Sequence, residues 1–122
     1  AAALDLYSRL DLSIEPGKVA YVPLNIALQI PENYFVLMSA RSSLQKKGLM
    51  MANGIGIGDA DYCGDGDEYQ AALYNFSREK VAIEKGERLV QMIVLPREKI
   101  ELEKLTIFTS NNRGGFGSTG NK

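Results

Sequence analysis

The stretch GKVAYVPLNIALQI, residues 17–30, sets the expectation for the fold. Its β-branched and apolar residues follow a Pro16-Gly17 turn signal and stop at Pro31. Short apolar runs bounded by turn residues are typical of β-strands. The pattern recurs outward along the chain in YFVLMSA (34–40), YQAALYNF (69–76), KVAIEKGE (80–87), RLVQMIVLP (88–96) and KIELEKL (99–105).

These runs predict an all-β sandwich or barrel in one domain, since the 122 residues contain no internal repeat and no linker. KIELEKL also fits a short helix, but its alternation favours a strand. One helical turn is expected in SSLQKKG (42–48), where the serines can cap the start and Gly48 can end it.

Composition excludes several kinds of chemistry. The net charge of -1 provides no basic surface for nucleic acid or for a membrane, and no apolar run approaches the ~20 residues of a membrane span. The absence of histidine, with Cys63 as the single cysteine, excludes a disulfide, the usual zinc sites and a Ser-His-Asp triad. We therefore expect a carboxylate base, a hard cation such as Mg²⁺ as any metal, and a reducing compartment such as the cytoplasm.

The acidic stretch GIGDADYCGDGDEYQ (56–70) fits ligand binding better than calcium binding. In an EF-hand register, position five would be Cys63 and position twelve Gln70, and neither is the usual ligand there. Three glycines at 54, 56 and 58 let another molecule approach the backbone near Tyr62.

The end of the chain, RGGFGSTG (113–120), fits either a flexible terminus or a flap that orders on an anionic ligand with a flat ring.

Five short motifs stand in order along the chain: ALDLYS (3–8), ARSSLQKKGL (40–49), GIGDADYCGD (56–65), GERLVQ (86–91) and RGGFGSTG (113–120). Together they closely resemble the motifs of the trimeric dUTP pyrophosphatases (dUTPases), over nearly the whole chain. The resemblance implies a jelly-roll β fold, with a β domain over 1–112 and a Gly-rich flap over 113–122. It also implies a symmetric homotrimer whose active sites draw motifs from neighbouring chains.

The resemblance further implies hydrolysis of dUTP to dUMP and pyrophosphate, by attack of water on the α-phosphorus with the help of Mg²⁺. Asp59 matches the carboxylate that activates the water, and Asp5 would act through magnesium-bound water rather than as a direct ligand. The family's phosphate-binding positions fall on Arg41, Ser42, Ser43, Gln91, Arg113, Gly117, Ser118 and Thr119.

The nucleoside-binding positions of the family also have matches in this chain. Tyr62 would lie under the deoxyribose, Asn53 would bond the uracil edge and Phe116 would stack on the base. The backbone groups expected to read the base belong to Gly56, Ile57, Gly58 and Tyr69.

The sequence departs from the family pattern at several points. Ser43 stands where many members have glycine, and GDGDE (64–68) is longer than the same stretch in the shortest members. Gly58 stands where isoleucine or valine is commoner, which predicts a looser hairpin beside Asp59. Ala1 falls almost on the first motif, whereas family chains usually begin with an earlier strand, so we expect a longer natural chain.

Two other functions are compatible with a related fold. A dCTP deaminase needs a glutamate on the strand after the third motif, and QAALYNF (70–76) contains no carboxylate. A catalytically silent dUTPase-like trimer could serve as a binding or regulatory subunit, but it would have no need to keep Asp59, Tyr62, Arg41 and Gln91. Catalysis on dUTP is therefore the favoured interpretation.

Overall fold

The structure, a computed structural model, describes residues 1–107 and 111–114 and consists almost entirely of β-strands and their connections. The strands are β1 (Leu4–Tyr7), β2 (Leu12–Ile14), β3 (Val19–Pro23), β4 (Tyr34–Ala40), β5 (Leu49–Met51), β6 (Gly56–Gly58), β7 (Gln70–Asn75), β8 (Val81–Ile83) and β9 (Arg88–Pro96). Within the described ranges the helical structure is one short 3-10 helix, Gln45–Lys47. This part of the chain contains no helix that is long and apolar enough to cross a membrane.

The strands pair antiparallel in three sheets. The largest sheet has the order β1-β9-β4-β6, the second has the order β3-β7-β5, and β2 pairs with β8. β9 is central in the largest sheet because it pairs with β4 from Tyr34↔Pro96 to Ala40↔Val90, and with β1 on its other side. The prediction of an all-β fold is therefore confirmed.

Apolar side chains from all three sheets pack into one core. The alternation of strand side chains places them there, as in β7, where Ala71, Leu73 and Asn75 point inward. The largest fully buried apolar side chains are Leu6, Ile14, Val22, Leu24, Val36, Leu44, Leu49, Leu73, Ile83, Leu89 and Val90. A slip of one residue in any strand would turn its buried side chains outward, so the core fixes the register of the sheets.

The strand predicted over 17–30 is shorter in the structure, since β3 ends at Pro23. Asn25 has a φ of 61°, which takes the backbone out of the β region. Apolar residues still alternate after Asn25, because every second side chain in 26–30 is partly buried against the core. The chain after β3 stays attached beside β7, because the Leu24 N–H donates to the Tyr69 carbonyl and the Tyr69 N–H donates to the Ile26 carbonyl, both at 2.9 Å.

The strand predicted over KIELEKL (99–105) is not formed. β9 ends at Pro96, and residues 97–105 have no regular secondary structure. Its apolar side chains are exposed, with Ile100 at 76% and Leu102 at 95%. The alternation indicated strand propensity correctly, but a strand also needs a partner, and the described part of the chain places none beside it.

The helical turn predicted over 42–48 is reduced to a 3-10 helix at its end. The serines do not cap it, because the N-cap residue is Leu44 and no side-chain hydrogen bond is made there. Gly48 ends the helix as predicted, with a φ of 85°. A Cβ at this position would also lie 2.7 Å from Cβ of Ser77, so both backbone conformation and space require glycine.

Asn75, which is fully buried, connects strands of different sheets. Its Nδ2 donates to the carbonyls of Ile14, at 2.8 Å, and Glu79, at 2.7 Å. Its Oδ1 accepts from the backbone N–H and the hydroxyl of Ser77, at 2.9 and 2.6 Å. One side chain thus ties the end of β7 to β2 and to the segment that leads into β8.

Replacing Asn75 should therefore destabilise the fold strongly. Asn75→Ala removes four hydrogen bonds, among them the buried one to the Ile14 carbonyl, so we expect the free energy of unfolding to fall by about 3 kcal/mol. Ser77→Ala removes only the hydroxyl and should cost about 1 kcal/mol. Urea unfolding at one fixed protein concentration measures both changes, and equal losses would contradict the central role of Asn75.

Candidate active site

A cavity of about 430 Å³ opens beside β6. Its wall contains Asn53, Asp59, Tyr62 and Tyr69 together with the backbone of β6. The volume lies in the range of small-molecule binding sites, roughly 300–1,000 Å³. The structure thus brings the residues of the third motif and Asn53 together at one place, and Asp59 there is exposed to solvent.

The strand β6 presents a free backbone edge in its sheet. It pairs with β4 on one side, through Gly56↔Met38 and Gly58↔Val36, and it is the last strand in the order β1-β9-β4-β6. The outer edge of such a strand carries N–H and C=O groups that no neighbouring strand uses. These groups can pair with the donors and acceptors of a planar ligand, as the sequence predicted for the backbone of 56–58.

Tyr69 contributes its side chain to the cavity wall, while the backbone contact with a ligand that the sequence predicted stays a prediction. Its N–H donates to the Ile26 carbonyl and its carbonyl accepts from the Leu24 N–H, both at 2.9 Å. The side chain lines the cavity while only 7% of the residue is exposed. Burial raises the pKa of the Tyr69 hydroxyl, and the nearby Tyr62 and Asp59 raise this pKa further.

The looser hairpin predicted at Gly58 is not found. The space beside Gly58 is filled by Tyr69, since a Cβ built at Gly58 would lie 2.2 Å from the Tyr69 Oη. The space of the missing side chain is thus filled by the ring of the residue that directly precedes β7, and the interior stays close-packed.

Tyr62 is held so that one side of its ring remains open. Its ring meets the ring of Tyr69 edge to face, with the centroids 5.3 Å apart and an interplanar angle of 82°. Its Oη donates to the Glu68 carbonyl at 2.8 Å. Tyr62 is still 40% exposed and lines the cavity, which fits a residue that contacts a ligand rather than one that packs into the core.

Glu68, at the base of this arrangement, is held by charge-assisted hydrogen bonds. Arg9 donates to its two carboxylate oxygens, at 2.8 and 3.1 Å, and the Asn25 N–H donates to one of them, at 2.8 Å. The hydrogen bond from Arg9 lowers the pKa of the Glu68 carboxyl, and that from Asn25 lowers it further. Glu68 therefore stays ionised and engaged near neutral pH.

A second cluster lies on β1, β9 and the residue after β4. Asp5 Oδ1 is 3.1 Å from Arg41 Nε, and Asp5 Oδ2 is 3.5 Å from Arg88 Nη1. Gln91 lies opposite Asp5 in the β1–β9 pairing, and its Nε2 donates to the Ala40 carbonyl at 3.1 Å. Two partly exposed guanidinium groups around one carboxylate leave net positive charge, which suits an anionic ligand.

The two clusters are far apart within one chain. Asp5 lies on the first strand of the largest sheet, and Asp59 directly follows β6 on the fourth. Asp5 aligns with Gln91, whereas Gly58 aligns through Val36 with Val94 on β9. At ~4.8 Å between strands and ~3.4 Å per residue, the backbones at positions 5 and 59 are roughly 20 Å apart.

The remaining predicted site residues lie in the turn after Arg41 and at the end of the chain. Ser42 is exposed and Ser43 half-buried in the turn after Arg41. Arg113 is exposed, and its Nη1 donates to the Gly114 carbonyl at 2.8 Å. The tail residues that lie outside the described ranges are Phe116, Gly117, Ser118 and Thr119. Across residues 1–107 and 111–114, no three His, Cys, Asp or Glu side chains are grouped to hold a metal ion.

Sequence reasoning missed several residues of the cavity wall, among them Tyr21, Gln70 and Glu68. Tyr21 is 70% exposed on β3, and the outward alternation of Val19 and Tyr21 could have marked it as a surface aromatic. Its place beside the cavity follows from the pairing Tyr21↔Ala72 between β3 and β7, which the sequence does not reveal.

Fold and site together describe an antiparallel β protein with a cavity of the size of a small-molecule site and a separate cationic cluster. The family model for dUTPase matches residues 1–120. The chain belongs to the dUTPase family, and the fold implied by the motifs is thereby confirmed.

Individual relatives agree with this assignment. The chain is 40% identical over 126 residues to the deoxyuridine 5'-triphosphate nucleotidohydrolase of Hydrogenobaculum sp., covering 100% of this chain and 85% of that protein. It is 38% identical over 125 residues to the enzyme of the same name from Anaplasma marginale, covering 98% and 83%. The structure resembles that of the Staphylococcus bacteriophage 80alpha dUTPase with dUPNHPP, with a TM-score of 0.83, 26% identity and coverage of 98% and 86%.

The raised pKa of the Tyr69 hydroxyl predicts a specific dependence of stability on pH. Its folded-state pKa is raised, so this group stabilises the fold fully below its ordinary pKa of 10.0, and the contribution is lost as the pH rises towards the folded pKa. Tyr69→Phe keeps the ring without the titrating proton. Above about pH 10 the melting temperature of the parent should fall more steeply than that of this variant.

Thermal unfolding of both proteins between about pH 8 and about pH 11 checks this expectation. Tyr21→Phe removes an exposed phenol instead and should leave the slope of the parent unchanged. If the melting temperatures of the parent and Tyr69→Phe fall in parallel with pH, folding does not raise the pKa of the Tyr69 hydroxyl.

Proposed function

We propose that the chain hydrolyses dUTP to dUMP and pyrophosphate, and so removes dUTP from the nucleotide pool and supplies dUMP. The observation that carries this proposal is the position of Asp59 at the wall of a cavity formed also by the free edge of β6 and the exposed ring of Tyr62. The activity named for its relatives supports it. We assign the activity to a reducing compartment, because Cys63 is an exposed free thiol.

The nucleoside would bind between β6 and Tyr62. The uracil edge would pair with backbone groups of 56–58 and with Asn53, while the deoxyribose would lie against the open face of the Tyr62 ring. A ribose would bring its 2′-hydroxyl against this ring, where the hydroxyl loses water without gaining a partner, at a cost of roughly 1–3 kcal/mol. The same contact therefore favours dUTP over UTP.

The chemical step is an in-line displacement at the α-phosphorus. Asp59 takes a proton from a water molecule as the water oxygen bonds to this phosphorus. The bond from the α-phosphorus to the oxygen that bridges to the β-phosphorus breaks, and pyrophosphate leaves with that oxygen. General-base catalysis of this kind contributes about 10²- to 10⁴-fold to the rate.

The triphosphate would bind at the cationic cluster. Arg41 is held through Nε by Asp5, and an arginine held in this way keeps two terminal nitrogens that can bind phosphate oxygens. The phosphate-binding residues would be Arg41, Ser42, Ser43, Gln91, Arg113, Gly117, Ser118 and Thr119. The Gly-rich end of the chain would act as a flap, with Phe116 on the uracil ring, and so exclude water around the phosphates.

Mg²⁺ fits this site as an ion held mainly by the substrate. Phosphate oxygens are hard ligands that Mg²⁺ prefers, and the described residues offer no group of carboxylates that would hold the ion directly. Asp5, whose side chain is 28% exposed, would contact the ion through bound water. The bound ion would neutralise charge on the triphosphate.

We infer that the complete site forms between chains of a homotrimer. Reacting groups must approach to about 3–3.5 Å, whereas the two clusters of one chain are roughly 20 Å apart in backbone position. A neighbouring chain can bring its cationic cluster to the cavity. The exposed apolar side chains of Ile100 and Leu102 also favour contact with another chain, because the described residues of their own chain leave them exposed.

The geometry favours the pyrophosphatase over a dCTP deaminase. β7 carries no carboxylate, and the nearest one in sequence, Glu68, is bound by Arg9 with its pKa lowered mainly by that hydrogen bond. A carboxylate in this state is a weak base and is poorly placed to accept a proton from a substrate.

The role of Asp59 predicts a variant that binds but does not react. Asp59→Asn keeps the shape of the side chain and removes the proton acceptor, so we expect kcat for dUTP to fall about a hundredfold or more. Binding of a non-hydrolysable dUTP analogue, measured by calorimetry, should be retained. Asp65→Asn removes a carboxylate from the same acidic stretch and should keep the parent kcat; normal turnover by Asp59→Asn would exclude Asp59 as the base.

The shared site predicts that two inactive variants restore each other. Asp59→Asn and Arg41→Ala each damage a different half of every site in their own homotrimers. In mixed trimers, sites that take Asp59 from one variant and Arg41 from the other are intact, and random assortment of an equal mixture should return roughly a quarter of the parent activity. Subunit exchange is verified by native mass spectrometry, and exchanged trimers without activity would show that each chain builds its own site.

A further inference from the structure

Gly58 is required by the approach of a neighbouring side chain and not by its own backbone conformation. Its φ is not positive, so a side chain would cause no backbone strain. A Cβ at this position would nevertheless lie 2.2 Å from Oη, 2.8 Å from Cε2 and 2.9 Å from Cζ of Tyr69. Gly58 and Tyr69 are therefore a matched pair: the ring occupies the space that a side chain at position 58 would need.

The Tyr69 ring is in turn one of two restraints on Tyr62. The edge-to-face contact between the rings, at 5.3 Å, supports Tyr62 from one side. The hydrogen bond from Tyr62 Oη to the Glu68 carbonyl holds the other end of the ring. Glu68 is itself fixed by Arg9, so Tyr62 is held between two firm supports.

We propose that Tyr69 is a positioning residue for sugar selectivity, which sets the Tyr62 ring against the deoxyribose, and that Gly58 is glycine in order to admit it. This inference rests on the proposed role of Tyr62 in excluding a 2′-hydroxyl. Without the Tyr69 ring, Tyr62 loses its lateral support and can turn away, which leaves room for ribose. With a side chain at position 58, Tyr69 is displaced and the same support is lost.

Positioning can be distinguished from core packing by what each would change. Gly58 directly precedes Asp59, and Tyr69 and Tyr62 line the same cavity, so moving this pair alters the site as well as the stability. A residue that only fills the core would lower the melting temperature and leave the ratio of kcat/KM for dUTP to that for UTP unchanged. A displacement near 1 Å is expensive in rate, so the ratio is a sensitive measure.

The test is a double-mutant cycle on the full chain, with Gly58→Val, Tyr69→Ile and both changes together. Each protein is assayed for melting temperature and for kcat/KM with dUTP and with UTP. Each single change should lower the dUTP/UTP ratio about tenfold, since Tyr62 is no longer held. The double variant exchanges the volumes of the two positions and should recover the melting temperature and come within about threefold of the parent ratio.

Three further variants make the outcome decisive. Tyr69→Phe keeps the ring and should keep the parent ratio. Leu73→Ala, a fully buried change on the same strand β7, should lower the melting temperature without changing the ratio. Tyr62→Ala should lower the ratio by itself, since it removes the surface on which the selectivity depends.

The possible results separate this inference from the proposed function. If Tyr62→Ala lowers the ratio while Gly58→Val and Tyr69→Ile do not, the positioning role of Tyr69 is excluded and the role of Tyr62 stands. If Tyr62→Ala leaves the ratio unchanged, both roles are excluded. Additive losses in the double variant would also overturn the inference, because they would show that positions 58 and 69 do not fill one shared space. A loss of selectivity in Tyr69→Phe would do the same, because that variant keeps the ring. Should Gly58→Val not fold, Gly58→Ala and the Tyr69 variants provide the same comparison.

Discussion

The antiparallel pairing of β9 with β4 is the constraint on which the rest of the structure depends. It runs without interruption from Tyr34↔Pro96 to Ala40↔Val90 and carries β1 on one flank and β6 on the other. Gln91 lies on β9 itself, Arg41 follows the last residue of β4, and Asp59 follows β6. A register slip of one residue would reverse the inward and outward faces of β9, so burial of Val90 and Met92, two residues apart on one face, fixes the positions of the functional side chains as well.

This rigidity explains why the site is divided. A paired sheet with a packed face cannot bend to close a gap of roughly 20 Å between its first and last strands. In the proposed homotrimer, the nucleoside end and the phosphate end of the substrate would be held by different chains. Assembly of the proposed site between subunits would make catalysis depend on association, while each half is already formed on a single chain.

Much of this arrangement could be predicted from the sequence. β4 and β9 have the predicted bounds, because each is a mainly apolar run between turn residues. Asp59, Tyr62 and Asn53, which the family resemblance predicted as site residues, line one cavity. The errors have long-range causes. β3 ends early where Asn25 takes a positive φ and its N–H binds Glu68, a residue distant in sequence. The run 99–105 has strand propensity, but the described chain provides it with no partner.

The expectation of a loose hairpin at Gly58 failed for a related reason, since it treated a missing side chain as a missing contact. In a close-packed interior the volume is taken up by a neighbour, here the ring of Tyr69. The longer stretch 64–68 directly precedes Tyr69 and β7. It closes into a turn of its own, with the Gly64 N–H bonded to Asp67 Oδ2 and the Asp67 N–H bonded to the Gly64 carbonyl, both at 3.0 Å. β7 pairs with β3 from Pro23↔Gln70 onward, and Tyr69, the residue before β7, reaches the space beside Gly58.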